Sequence, residues 1–358
     1  MAQKPKYTIV ICGTHLTPAL ELINQLKNDS KTTWSIKYIG RKYNSSTDNT
    51  PSIESIVIPQ NHLEFFGILC GKFDRRYFPN TLRGFPHLFS GLVSSFQIIS
   101  KLKPDIVVSF GGYSSVPVVI AAFLKNIPSI THEQTLTLSL TTKINSFFVK
   151  KVALSFNNQS SSNPKYVITG NLLRREIFNQ KSATFEKLSP DRKILYFTAG
   201  NQGSHTISQL LFKLLPNLTQ YLIIHTGYQD FDQAKLLSSK YPNYHPFKFI
   251  GPNDIGWVLN HAHLIISRSG ANTSQEIVAL QKSSILIPLP VSSQNEQSLN
   301  AKWVESQLPK QTIIIDQNKL TPENLLASIN SLVLQKPTSH LSSYQPNSKL
   351  LKLIYEIL

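Results

Sequence analysis

Cysteine is nearly absent from this chain: only Cys12 and Cys70 occur in 358 residues. That excludes a disulfide framework and a cysteine-built zinc site, and Cys12, inside the apolar run Ile9–Cys12, reads as a small core hydrophobe. Glycine is scarce too, 15 in the whole chain, so each glycine in a loop is more informative than usual. No apolar run reaches the roughly 20 residues that a membrane-spanning helix needs. No signal-peptide core follows Met1–Lys6, so the expected location is cytoplasmic, peripheral to the inner face of the cell membrane at most. Acidic residues are few as well, 20 against 36 Lys and Arg, for a formal charge of +16. Such a balance suits an anionic partner: a phosphorylated substrate, an anionic membrane surface or nucleic acid. Nucleic acid ranks last and is not expected, because no homeodomain, zinc-finger or RNP-type motif is present.

What is present is a folded α/β pattern. Apolar residues make up 41% and charged residues 16%, a globular composition, and the length exceeds one ordinary core. Short β-branched runs alternate with helical patterns, the rhythm of parallel α/β domains. Strands are expected at Thr8–Cys12, Ser35–Ile39, Ser55–Ile58, Asp105–Ser109, Pro128–Thr131, Lys151–Leu154 and Tyr166–Ile168. After a polar linker, Phe178–Arg192, a second series is expected at Lys193–Thr198, Tyr221–His225, Phe247–Ile250, Leu264–Ile266, Ser284–Ile287 and Gln311–Ile315. Two doubly wound domains follow, and ligands of such folds bind beyond the carboxyl ends of the strands.

Five loops there carry chemistry. Gly13-Thr14-His15 precedes a helix, where a histidine serves as a general base or touches phosphate, or is simply a polar loop residue. Phe110-Gly111-Gly112-Tyr113 permits close backbone approach, as any tight turn with paired glycines does. His132-Glu133-Gln134-Thr135 is placed for a ligand or for capping a helix. Gly200-Asn201-Gln202-Gly203 opens another helix. The most specific segment is Arg268 to Glu276: small residues at 269–271 leave helix N–H groups open as a diphosphate cradle, and Glu276 reaches a ribose diol. Leu63–Leu69, followed by Lys72, Arg75, Arg76, Tyr77 and Phe78, fits an anionic lipid surface or a buried amphipathic segment equally well.

Taken in order, these segments resemble the MurG family over nearly the whole chain. The matches are Phe110 to Ala122, His132-Glu133-Gln134, Gly170-Asn171 with Arg174, Gly200 to Gly203, and Arg268 to Glu276. The resemblance implies a GT-B architecture of two Rossmann-like doubly wound domains with an interdomain cleft. It assigns residues 1–177 to an acceptor- and membrane-binding domain, 186–340 to a UDP-sugar domain, and 341–358 to a helix bracing the first. It implies inverting transfer of N-acetylglucosamine from UDP-N-acetylglucosamine to lipid I in peptidoglycan synthesis, with no cofactor and no metal. His15 is then the base, with Glu133 second. Donor contacts fall on Thr135, Arg174, Asn201, Ile250, Ser269, Gly270, Ala271, Asn272, Thr273, Glu276, Glu296 and Gln297. Acceptor contacts fall on Gly13, Thr14, His15, Gly112, Tyr113, His132 and Gln134. The chain departs from the family in a first loop about two residues shorter, and in Thr135, Leu172, Ala199 and Asn201. Two other readings stay open: a related transferase with another lipid or glycan acceptor, and a UDP-sugar-binding protein without acceptor chemistry.

Overall fold

The computed structural model describes residues 4–43, 50–70, 78–157, 163–188, 192–200, 203–227, 229–291, 295–334 and 347–358, with backbone alone over 78–88. The chain divides into two compact units, Met1–Arg174 with Pro346–Leu358, and Arg175–Gln345.

The first unit alternates strands and helices: β1 (Lys6–Cys12), α1 (Leu16–Lys27), β2 (Thr33–Arg41), α2 (Ile53–Gln60), β3 (Glu64–Ile68), α3 (Phe78–Leu102), β4 (Ile106–Ser109), α4 (Ser115–Leu124), β5 (Ser129–Glu133), α5 (Leu140–Asn145), β6 (Lys151–Leu154) and β7 (Tyr166–Ile168). These strands pair in parallel, in the order β3-β2-β1-β4-β5-β6-β7. Both faces of the sheet are covered, so the buried end of β1 is a continuous apolar run: Ile9 and Ile11 join one core cluster, Val10 and Cys12 another.

The second unit repeats the plan with β8 (Ile194–Phe197), α6 (His205–Leu214), β9 (Leu222–Thr226), α7 (Phe231–Lys240), β10 (Tyr244–Phe247), α8 (Pro252–His261), β11 (Ala262–Ser267), α9 (Ala271–Ala279), β12 (Ser284–Leu286), α10 (Glu296–Gln307), β13 (Thr312–Ile314) and α11 (Pro322–Val333). Its parallel order is β10-β9-β8-β11-β12-β13. In each sheet the order reverses beside the unit's first strand, between β1 and β4 and between β8 and β11. Loops leaving those strands splay apart there and open a crevice for ligands. The last helix, α12 (Lys349–Ile357), belongs to the first unit. Its Leu350, Leu353 and Ile354 share a core with Leu22 and Leu26 of α1.

Four expectations need correction. Ser55–Ile58 is not a strand but part of α2, because Ser52 caps the helix by accepting from Ser55 N at 3.1 Å, and the buried positions Glu54 and Ile58 recur four apart. Leu63–Leu69 contains edge strand β3; Phe65 and Phe66 pack against opposite core clusters, which removes them from a lipid-facing role. The cations Lys72, Arg75 and Arg76, with Tyr77, lie outside the described residues, as does the side chain of Phe78. The strand expected at Phe247–Ile250 is β10, three residues earlier, and Ile250 lies in the loop that follows. Phe178–Arg192 is no free linker: Phe185 is buried, stacked on Trp257 of α8 at 5.6 Å between centroids, and Ser182 Oγ donates to Asp254 at 2.5 Å. A single aromatic anchor in a polar stretch leaves no periodicity to detect.

Candidate functional site

In the first unit the loops leaving β1 and β4 touch. Thr14 N donates to the Gly111 carbonyl at 3.1 Å, and a Cβ on Gly13, whose φ is +123°, would stand 2.5 Å from that same oxygen. The Thr14 side chain fills the space beside Gly112, at φ +75°. Only glycine permits this approach in these backbone conformations. The buried Tyr38 hydroxyl fixes the first loop from below, donating to the Gly13 carbonyl at 2.9 Å.

His15 emerges from that junction at the start of α1. Its ring lies over Gly111, where a Cβ would meet Cδ2 at 3.2 Å, and its Nδ1 is 2.7 Å from the Gln134 side-chain amide. Burial lowers its pKa below the ordinary 6.5; the Glu133 charge opposes this and the Arg41 charge adds to it. The imidazole is therefore neutral at pH 7, as a general base must be. Tyr113 stands half-buried beside the same loops.

The segment after β5 behaves differently from expectation. Glu133, only 2% exposed, accepts from Thr135 N at 3.1 Å and from Ser139 N, at the start of α5, at 2.8 Å. The Thr135 hydroxyl lies 2.7 Å from both Glu133 Oε1 and the Thr137 carbonyl. Burial pushes the Glu133 pKa up, but hydrogen bonds from Thr135, Thr142 and Ser139 outweigh it and hold the group ionised. So engaged, Glu133 is a poor base and an organiser of the loop. Thr135, expected at the donor, is part of that scaffold in the first unit. His132 is buried beneath the loop, its Nε2 donating to the Gly170 carbonyl at 3.2 Å; burial lowers its pKa to about 4. At 1% exposure it braces the loop from beneath. Arg174, half-buried, closes the first unit.

The second unit holds a cavity of about 400 Å³ at its own switch point, lined among others by Gly200, Ser204, Arg268, Gly270, Thr273 and Gln297. Two helices begin on it: Ser204 caps α6 and Gly270 caps α9. Their first-turn N–H groups lack intrahelical acceptors, which makes the cavity a receptor for anionic oxygen. Arg268 adds a cation, 7% exposed and held by neutral groups: Nη1 donates to the Ile287 carbonyl at 3.0 Å, and Nη2 to Ser204 Oγ at 3.0 Å and Gln317 Oε1 at 2.6 Å. The burial that lowers its pKa also marks a charge costly to keep without a counter-ion.

Of the expected donor residues, this cavity gathers Gly270, Thr273 and Gln297. The Ser269 side chain faces inward, donating to the Gln297 carbonyl at 2.7 Å, and its carbonyl accepts from Asn300 Nδ2 at 3.0 Å. These bonds tie α9 to α10 and engage the Ser269 hydroxyl within the protein. Ala271 and Asn272 form the first turn of α9, Glu276 is buried one turn on, and Glu296 opens α10; none lines the cavity, nor does Ile250, buried before the start of α8. Asn201 lies outside the described residues. Arg268, at the head of the expected diphosphate segment, lines the cavity, and so does Ser204, which the Gly-x-x-Gly-Ser pattern after β8 signals in the sequence.

The glycosyltransferase family 28 N-terminal domain matches residues 7–154, and the family 28 C-terminal domain matches residues 194–354. Two curated relatives are named UDP-N-acetylglucosamine--N-acetylmuramyl-(pentapeptide) pyrophosphoryl-undecaprenol N-acetylglucosamine transferase. That of Clostridium perfringens is 33% identical over 342 residues, covering 91% of this chain and 90% of its own. That of Clostridium botulinum is 35% identical over 329 residues, covering 89% and 87%. A crystal structure of Acinetobacter baumannii MurG superposes with a TM-score of 0.68 at 22% identity over 99% of each chain, which establishes the GT-B fold. Fold, domain matches and identity agree: the chain belongs to the MurG family of glycosyltransferase family 28.

Proposed function

We propose that this enzyme transfers N-acetylglucosamine from UDP-N-acetylglucosamine to the pyrophosphoryl-undecaprenol-linked N-acetylmuramyl-pentapeptide, lipid I, as its relatives' names describe. The observation that carries the reading is the cavity of the second unit, where two helix starts and the neutral-bonded cation Arg268 face one space suited to a diphosphate. Thr273 and the N–H groups of Gly270 to Asn272 hold the diphosphate, Glu276 takes the ribose diol, and Ile250 lies by the uracil. Glu296, Gln297 and Arg174 complete the donor contacts.

The first unit handles the acceptor through Gly13, Thr14, Gly112, Tyr113 and Gln134. His15 removes the proton from the acceptor hydroxyl as its oxygen attacks the anomeric carbon. The bond from that carbon to the diphosphate breaks and UDP leaves with inversion. Negative charge growing on the leaving oxygen is met by N–H groups and arginine, donors already oriented before the reaction.

A lipid-linked acceptor places the enzyme at a membrane surface. Among the described residues no helix is long and apolar enough to cross one. Peripheral contact fits the apolar side chains that the first unit leaves exposed, Phe89 and Val93 on α3 and Phe123 and Leu124 on α4, beside Lys125. On anionic vesicles, Phe89→Ser with Phe123→Ser should abolish co-flotation; undiminished flotation would exclude that face.

The deciding experiment is transfer of radiolabel from UDP-N-acetylglucosamine to lipid I. Labelled disaccharide-linked lipid is the expected product. Donor hydrolysis without lipid product, or transfer to other lipids only, would overturn the proposal.

A further inference from the structure

We propose that Arg41 is the cation that binds the diphosphate of the lipid-linked acceptor; this rests on the function proposed above. Arg41 ends β2 two positions beyond Ile39, the strand partner of Cys12, so it stands level with the Gly13–His15 loop that follows β1. From the loop after β4, Tyr113 places its ring 5.7 Å from the guanidinium carbon. The guanidinium is also near enough to His15 to disfavour a second positive charge there. Arg41 thus sits among the glycine loops, Gly13, Gly111 and Gly112, at the crevice of the first sheet.

The side chain is held in place before any ligand arrives. Buried Glu54 of α2 receives a bidentate fork, Nε to Oε1 at 2.7 Å and Nη2 to Oε2 at 3.1 Å. Glu54 reaches Arg41 by passing Gly40, where a Cβ would stand 2.9 Å from Glu54 Cγ. A guanidinium carries five N–H donors, of which this fork uses two, and its planar geometry matches phosphate oxygens. The Arg41 side chain is 18% exposed against 1% for Glu54, so Arg41 is the accessible member of the pair. The relatives' acceptor is named as a pyrophosphoryl lipid, an anion that glycine backbone alone would leave without a counter-charge.

An arginine present only to neutralise Glu54 would behave differently from one that meets an anion, and Glu54→Gln separates the two roles. Inorganic pyrophosphate is titrated calorimetrically into the full-length protein with its donor site saturated by UDP. Arg41→Met is expected to weaken pyrophosphate binding at least tenfold, Arg41→Lys to restore part of it, and Glu54→Gln to bind as tightly as wild type or tighter. UDP affinity should be unchanged in all three, which reports that each is folded; if Arg41→Met does not fold, Arg41→Lys alone must show weakened binding. In turnover, Arg41→Met should raise KM for the lipid acceptor at least tenfold, with KM for the donor unmoved. Equal pyrophosphate affinity in wild type and the Arg41 variants, no binding to wild type, or equal loss in Glu54→Gln and Arg41→Met would each overturn the assignment. Failure of wild type to glycosylate lipid I would instead overturn the proposed function, and the pyrophosphate titration would still decide the role of Arg41.

Discussion

The side-chain amide of Gln134 stands 2.7 Å from Nδ1 of His15, joining loops 119 positions apart in the chain. The atom placed there sets the histidine's tautomer. An amide N–H donated to Nδ1 leaves the hydrogen on Nε2, and neither ring nitrogen is then an open acceptor. With the amide turned, Oε1 accepts Nδ1–H and the lone pair of Nε2 is exposed. The base role requires this second arrangement.

His15→Ala should therefore lower turnover about 10²- to 10⁴-fold with UDP affinity intact. Because burial holds the His15 pKa below 6.5, the acid limb of the wild-type kcat/KM profile should fall below pH 6.5, where the base becomes protonated. Steady-state rates across pH 5–8 check this, and a limb centred above 6.5 would assign the proton to another group.

Arg268→Met should weaken UDP binding about ten- to hundredfold, the scale of one charge-assisted hydrogen bond of about 1.5–3 kcal/mol. Titration calorimetry with UDP reads this directly. Affinity equal to wild type would mean that the guanidinium serves only its protein partners, the carbonyls of Ile287 and Pro288 with Ser204 and Gln317.

Glu133→Gln should destabilise the protein by about 1–3 kcal/mol at pH 7, since an amide cannot accept all the bonds the carboxylate now receives. The folded-state pKa of Glu133 lies below its ordinary 4.5, so its contribution is present above pH 4.5 and vanishes as pH falls through the lower folded value. Thermal melts of the two proteins should diverge at neutral pH and converge in acid. A gap independent of pH would mean that the charge is irrelevant.

His132 in the first unit and His225 in the second both have pKa values lowered to about 4 by burial. Unfolding frees each to take up a proton near its ordinary 6.5, so stability should decline as pH drops from about 6.5 to about 4. His132→Asn and His225→Asn should each flatten the melting temperature against pH in that window. Unchanged slopes would place the acid sensitivity elsewhere.

Much of this was legible in the sequence because apolar runs buried on both faces, such as Ile9–Cys12 and Leu264–Ile266, announce parallel strands, and the glycines that follow them announce crevice loops. The misreadings share a physical source. Ser55–Ile58 is β-branched enough to pass for a strand, yet a cap at Ser52 and an ion pair from Glu54 to Arg41 outweigh propensity. Leu63–Leu69 shows the apolar and aromatic content of a lipid-facing segment because an edge strand feeding two core clusters needs the same residues.

The Arg268–Glu276 segment illustrates the division. By itself the sequence determined that a helix begins after a strand there, with small residues at its start, since spacing and side-chain size are local properties. Tertiary structure decided which groups share the resulting space. Arg268 meets Ser204 from a loop 64 positions earlier, Ser269 turns its hydroxyl inward to Gln297, and Glu133 spends its carboxylate on its own loop. Burial and hydrogen-bond saturation depend on neighbours distant in the chain, so only the fold separates a ligand-facing polar group from one that holds the site together.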